Sequence, residues 1–105
     1  MDYFVTLLNA FSAAAVAETY VLRQPCSKFS VMVKGQAAAA TAWSLDLQGS
    51  IDGANWQQLI NHATADVDGV TKFVTDRPVT HIRLNLASVT LGTATNLIVA
   101  ALAMP

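Results

Sequence analysis

At 105 residues the chain has the length of a single domain. Only 12% of its residues are charged and 53% are hydrophobic. About 25% charged residues is usual for soluble domains. A domain this small has too little interior for so much apolar material, so a membrane, copies of itself or a partner should cover the excess. The net charge is −1, and Arg23, Lys28, Lys34, Lys72, Arg77 and Arg83 are scattered. That spacing excludes the basic stripe that phosphate neutralisation requires, and with it a nucleic-acid partner.

The first seventeen residues, MDYFVTLLNAFSAAAVA, end in small residues as a signal peptide does. They lack its positively charged start, because Asp2 is the only charge. Residues 1–17 are therefore read as an N-terminal arm or edge strand, with residues 18–105 forming the main domain. Tyr3 to Leu8 is apolar on both faces apart from Thr6. The alanine-rich stretch Ala10 to Ala17 suits either a short helix or an extended arm.

A strand is expected over Thr19–Gln24. Cys26, the only cysteine, excludes an internal disulfide and reads as a small apolar filler. From Lys28 to Lys34 the chain alternates with period two, placing Phe29, Val31 and Val33 on one face. The uncharged Gly35 to Thr41 segment is a flexible tip or a contact. Trp43, Leu45 and Leu47 then alternate with Ser44, Asp46 and Gln48, which puts Trp43 in the core. In the following LQGSIDGANWQQL, Asp52-Gly53 reads as turn chemistry, with Gly supplying positive φ and Asp bonding its own backbone. Trp56 is expected to fold over this hairpin. An outward Trp56 would instead offer a sugar platform, as would an exposed Tyr3 or Tyr20.

Strands are expected over Asn55–Asn61 and Val70–Asp76. Between them, Asp66-Val67-Asp68-Gly69 resembles part of a calcium loop, but the full spacing with a terminal Glu is missing, so the carboxylates are read as turn formers. His62, at a strand end, and His81, at an outward position, are expected at the surface or at an interface. Ile82, Leu84 and Leu86 alternate with His81, Arg83 and Asn85. Leu97 to Met104 is apolar on both faces, and its eight residues fall short of the roughly 20 that a spanning helix needs. A strand apolar on both sides is usually covered on both sides. Tyr3, Phe4, Val5, Leu7, Leu8, Leu97, Ile98, Val99 and Leu102 are therefore the candidate subunit-interface residues, unless the strand is a central one covered by a loop or the arm. Within the last strand, Ile98 and Leu102 share one face and Leu97 and Val99 the other.

These elements predict an all-β protein, an antiparallel, jelly-roll-like β-sandwich of about seven or eight strands with an N-terminal arm. No nucleophile–base–orienter set, zinc motif or phosphate loop occurs, so no enzymatic activity, cofactor or metal is expected.

The hairpin LQGSIDGANWQQL, the strand His81-Ile82-Arg83-Leu84-Asn85-Leu86 and the Ser88–Thr95 turn region together resemble small β-sandwich virion proteins of tailed bacteriophages. The resemblance covers about residues 42–103. It implies a virion location and a capsid decoration (cement) protein that stabilises the capsid lattice. A homo-oligomer, most often a trimer, and the major capsid protein would be the partners. The alternative is a carbohydrate- or receptor-binding module of a phage tail or neck.

Overall fold

The computed structural model describes residues 4–105, so Tyr3 lies outside the described residues. Nine strands are formed: β1 (Val5–Phe11), β2 (Ala15–Val16), β3 (Tyr20–Cys26), β4 (Lys28–Gly35), β5 (Ala42–Ser50), β6 (Gln57–Ala63), β7 (Thr71–Val74), β8 (Val79–Thr90) and β9 (Leu97–Met104). A 3-10 turn, Thr64–Asp66, follows β6. One sheet has the order β1-β9-β4-β7. The other has the order β2-β8-β5-β6, with β3 also paired to β8. Because β2 and β3 lie on the same side of β8, they act as one interrupted strand, which reconciles nine segments with the expected seven or eight. The strand orders of the two sheets are then jelly-roll-like, the chain crossing between sheets at every step but the β5–β6 hairpin. The N-terminal segment enters as β1, an edge strand, and Ala10 to Ala17 is extended rather than helical.

The core lies between the two inner faces. Phe29, Val31 and Val33 of β4 and Leu97 and Val99 of β9 meet Trp43, Leu45 and Leu47 of β5 and Ile82, Leu84 and Leu86 of β8. Each large side chain buried there contributes about 1.5–3 kcal/mol of transfer free energy. Cys26 is fully buried among them, and burial raises its thiol pKa, as expected of an apolar filler.

Two bulges reset the alternation. In the β5–β8 ladder Ser44 pairs with Ser88 but Leu45 pairs with Leu86. Ala87 is the extra residue, and Val89 beyond it can pack on the core although Leu86 before it does too. In the β5–β6 ladder Leu47 pairs with Ile60 and Gln48 with Gln58, so Leu59 is extra. Gln58 then matches the outward Gln48, while Ile60 and His62 turn inward. His62 is fully buried, against the surface position expected from its sequence. Without the bulge it would share a face with Gln58.

Candidate functional site

The hairpin that opens β6 is organised by two side chains. Ser50, itself buried, accepts hydrogen bonds from the backbone N–H groups of Asp52 and Gly53 and donates to Asp52 Oδ1 at 2.8 Å. Asp52 also accepts from the N–H groups of Ala54 and Asn55, both at 2.8 Å, and from the Asn55 amide. The Asn55 and Ala54 backbone donors hold the Asp52 carboxyl far below the usual carboxylate range. Gly53 has φ +78, as the turn requires, and a side chain there would meet the His81 ring at 3.2 Å. His81 is half-buried and points outward, with Nδ1 2.8 Å from Thr80 Oγ1. Asp52 therefore does turn work.

Trp56 does not cover the hairpin alone. Its ring reaches across the outer face of the β8-β5-β6 sheet and takes the Arg83 guanidinium, whose carbon lies 4.2 Å from the ring centroid. Arg83 Nε donates to Gln48 Oε1 at 2.7 Å. Nearby, Asn61 donates to Asp46 Oδ1 at 2.8 Å. This outer face is polar over β5, β6 and β8, with Val16 and Val21 exposed along its β2–β3 edge.

The loop carboxylates serve structure. Asp66 accepts from the Ala63 N–H at 2.9 Å and from Lys72 Nζ at 3.1 Å, and these contacts lower its pKa. Asp68 accepts from the Gly35 N–H at 2.7 Å, pinning the loop to the end of β4. Among the described residues no cluster of three or more His, Cys, Asp or Glu could hold a metal. His62 is equally committed. Trp43 Nε1–H donates to His62 Nδ1 at 3.0 Å, and His62 Nε2 lies 2.7 Å from the Val70 carbonyl. An indole only donates and a carbonyl only accepts, so the ring is neutral with its proton on Nε2.

The outer face of the β1-β9-β4-β7 sheet is of another kind. Backbone register aligns Leu8 with Ala100 and Met32, aligns Thr6 with Leu102, Ser30 and Phe73, and sets Ala10, Ile98 and Lys34 in one row. Leu8 is 72% exposed and Phe73 is 76% exposed, and a groove of about 270 Å³ runs between Thr6, Met32, Thr71 and Leu102. The candidate interface residues thus divide. Leu8, Ile98 and Leu102 lie on this face, and Phe4 is exposed beside it. Val5, Leu97 and Val99 face the core and are buried, which removes them from the set, because successive strand residues point to opposite faces. Leu7 is partly buried against the core. Met32 and Phe73 belong to the face but were not among the candidates. Met32 was legible as an apolar residue out of phase with Phe29, Val31 and Val33; Phe73 was not.

No protein-family model matches the chain, and no curated protein matches it in sequence. Solved structures similar in fold include the following two. The SPBc2 prophage-derived protein YomS superposes with a TM-score of 0.63 at 12% identity, covering 100% of this chain and 96% of YomS. The Yersinia pseudotuberculosis-derived mitogen superposes with a TM-score of 0.57 at 8% identity, covering 100% of this chain and 88% of the mitogen. The chain is a small β-sandwich protein with a prophage-derived structural neighbour. At such identities the likeness is one of fold alone.

Proposed function

We propose that the chain is a structural protein of a tailed-phage virion, a decoration protein that binds the major capsid protein and stabilises the capsid lattice as a homo-oligomer. The observation that carries this reading is the contrast between the two outer faces. One carries the Trp56–Arg83–Gln48 and Asn61–Asp46 contacts over β5, β6 and β8, with exposed Val16 and Val21 confined to its β2–β3 edge. The other presents Leu8, Met32, Phe73, Ile98 and Leu102 in register. Exposed apolar patches of that kind mark interaction surfaces. The strands of this face are seven, eight, eight and four residues long and cover about 430 Å² at about 4.8 Å between strands, so the face needs neighbouring segments or a second contact to reach the roughly 1,000 Å² of a specific interface.

The sequence resemblance to tailed-phage β-sandwich proteins supports the same reading and favours a trimer. The prophage origin of YomS, which shares the fold, is in keeping with a virion location. We read the chain as non-enzymatic, since His62 and Asp52 are each committed to structural contacts. No helix among the described residues is long and apolar enough to cross a membrane. Sedimentation velocity tests the proposal. It predicts an oligomer, or a monomer that binds capsids; a monomer that leaves capsids unbound contradicts it.

The carbohydrate- or receptor-binding reading loses its expected support, because the exposed aromatics do not share a face. Phe73 lies on the apolar outer face, Trp56 is stacked with Arg83 on the polar one, and Tyr20 sits on the β3 edge. What remains for that reading is a cavity elsewhere in the molecule.

A further inference from the structure

The sandwich is open along one side, between β1 at the edge of one sheet and the β2–β3 pair at the edge of the other. A cavity of about 410 Å³ occupies this seam. Leu7, Phe11, Ala17 and Leu84 supply its apolar surface, and Asn9, Glu18, Thr19 and Tyr20 line it as well. Asn9 pairs with the fully buried Val99 and lies on the core-facing side of β1, between the inward Leu7 and Phe11. It is half-buried at the mouth of the seam, and its amide and the exposed side chains of Glu18, Thr19 and Tyr20 make no hydrogen bond to other described residues, so all four are open to solvent or a ligand.

We infer that this seam binds a neutral or amino saccharide of one or two rings. An amide that offers a donor and an acceptor side by side matches a pair of adjacent sugar hydroxyls, and a carboxylate accepts from two more. Tyr20, 39% exposed, presents a ring on which the apolar C–H face of a sugar can lie. An apolar floor with a few convergent polar groups and this volume is the usual form of a small-ligand site. Glu18 is the one charged group lining the cavity, so sialic and uronic acids are excluded by like charge. The inference is independent of the virion reading, and its failure leaves that reading standing.

Amide NMR titration of the full chain tests it. The probes are glucose, galactose, mannose, N-acetylglucosamine and N-acetylgalactosamine, with N-acetylneuraminic and galacturonic acids as anionic controls. At least one neutral or amino sugar should shift the Asn9, Thr19 and Tyr20 amides, and the acids should not. Asn9→Leu keeps the strand apolar and removes the amide; it should weaken binding by about tenfold or more, the equivalent of one lost polar contact. Should Asn9→Leu fail to fold, the exposed Glu18→Gln reads the carboxylate's contact with the same sugar. Oligosaccharides from lipopolysaccharide core and from capsule then distinguish the natural source. The inference is overturned if neutral sugars leave these amides unmoved, if the shifts map to Trp56, or if both variants bind as the wild type does.

Discussion

Lys72 and Phe73 are neighbours on β7 and point the opposite way from what hydropathy prescribes. Lys72 pairs with the core-facing Val31, and its ammonium reaches the Asn61 carbonyl at 2.9 Å and Asp66 at 3.1 Å. Phe73 pairs with Ser30 and stands in solvent. The stem of Lys72 lies along the edge of the core while its charge ties β7 to β6 across the edge of the sandwich opposite β1 and the β2–β3 pair. Phe73 is left to extend the apolar outer face. The ion pair itself is part-exposed, and screening by water and salt leaves it a minor contributor to stability. The arrangement matters more for where it puts Phe73 than for the energy of the pair.

The two faces of β9 should respond differently to the same substitution. Val99→Asp places a carboxylate in the core and should cost about 4 kcal/mol or more, enough to unfold a small domain. Leu102→Asp on the outer face should leave the fold intact, changing stability by less than about 1 kcal/mol. Urea unfolding of the two variants checks this. Equal loss of stability in both would show that the strand is covered on both sides within one chain.

The buried Trp43–His62 pair should also be sensitive. Trp43→Phe leaves His62 Nδ1 without its donor and should cost about 1–3 kcal/mol beyond the smaller loss of area. His62→Ala removes the bond to the Val70 carbonyl as well and opens a cavity, so it should cost at least as much. A double-mutant cycle by chemical denaturation measures their coupling, expected at about 1 kcal/mol; additive effects would mean the bond contributes nothing.

Acid should loosen the hairpin. The Asp52 carboxyl titrates far below the usual range in the folded chain because of the Asn55 and Ala54 donors, whereas it returns to about 3.9 when unfolded. A group whose folded pKa is depressed contributes stability above its unfolded value and loses it as pH falls toward the folded one. Asp66 shifts in the same direction. Thermal stability should therefore be level near neutrality and decline below about pH 4. Asp52→Asn should be less stable than wild type at pH 7 and show a shallower acid decline. Parallel melting curves for wild type and variant across that range would contradict the assignment.

Much of the fold was legible because alternation survives wherever a ladder is regular. Phe29-Val31-Val33, Trp43-Leu45-Leu47 and Ile82-Leu84-Leu86 all face the core as their spacing prescribes. Legibility fails where one residue is inserted. The extra Leu59 flips every later side chain of β6, which carries His62 from the expected surface into the core. No composition or period marks that bulge. In the candidate interface, the parity of Ile98 and Leu102 against Leu97 and Val99 was readable, but which pair faced out was not. Only the pairing of β9 between β1 and β4 decides it. Phe73 was invisible for a related reason: a four-residue strand, β7, is too short for its own alternation to fix which face is buried.

The central claim is that the outer face of the β1-β9-β4-β7 sheet makes the assembly contact. Co-sedimentation with purified phage capsids, run alongside sedimentation velocity of the free protein, tests it most directly when wild type is compared with a Leu8→Asp, Phe73→Asp double variant. Both residues are largely exposed, so the variant should keep the wild-type fold and melting behaviour. The account predicts that it loses self-association, capsid binding or both. A folded variant that assembles and binds capsids as the wild type does would contradict it.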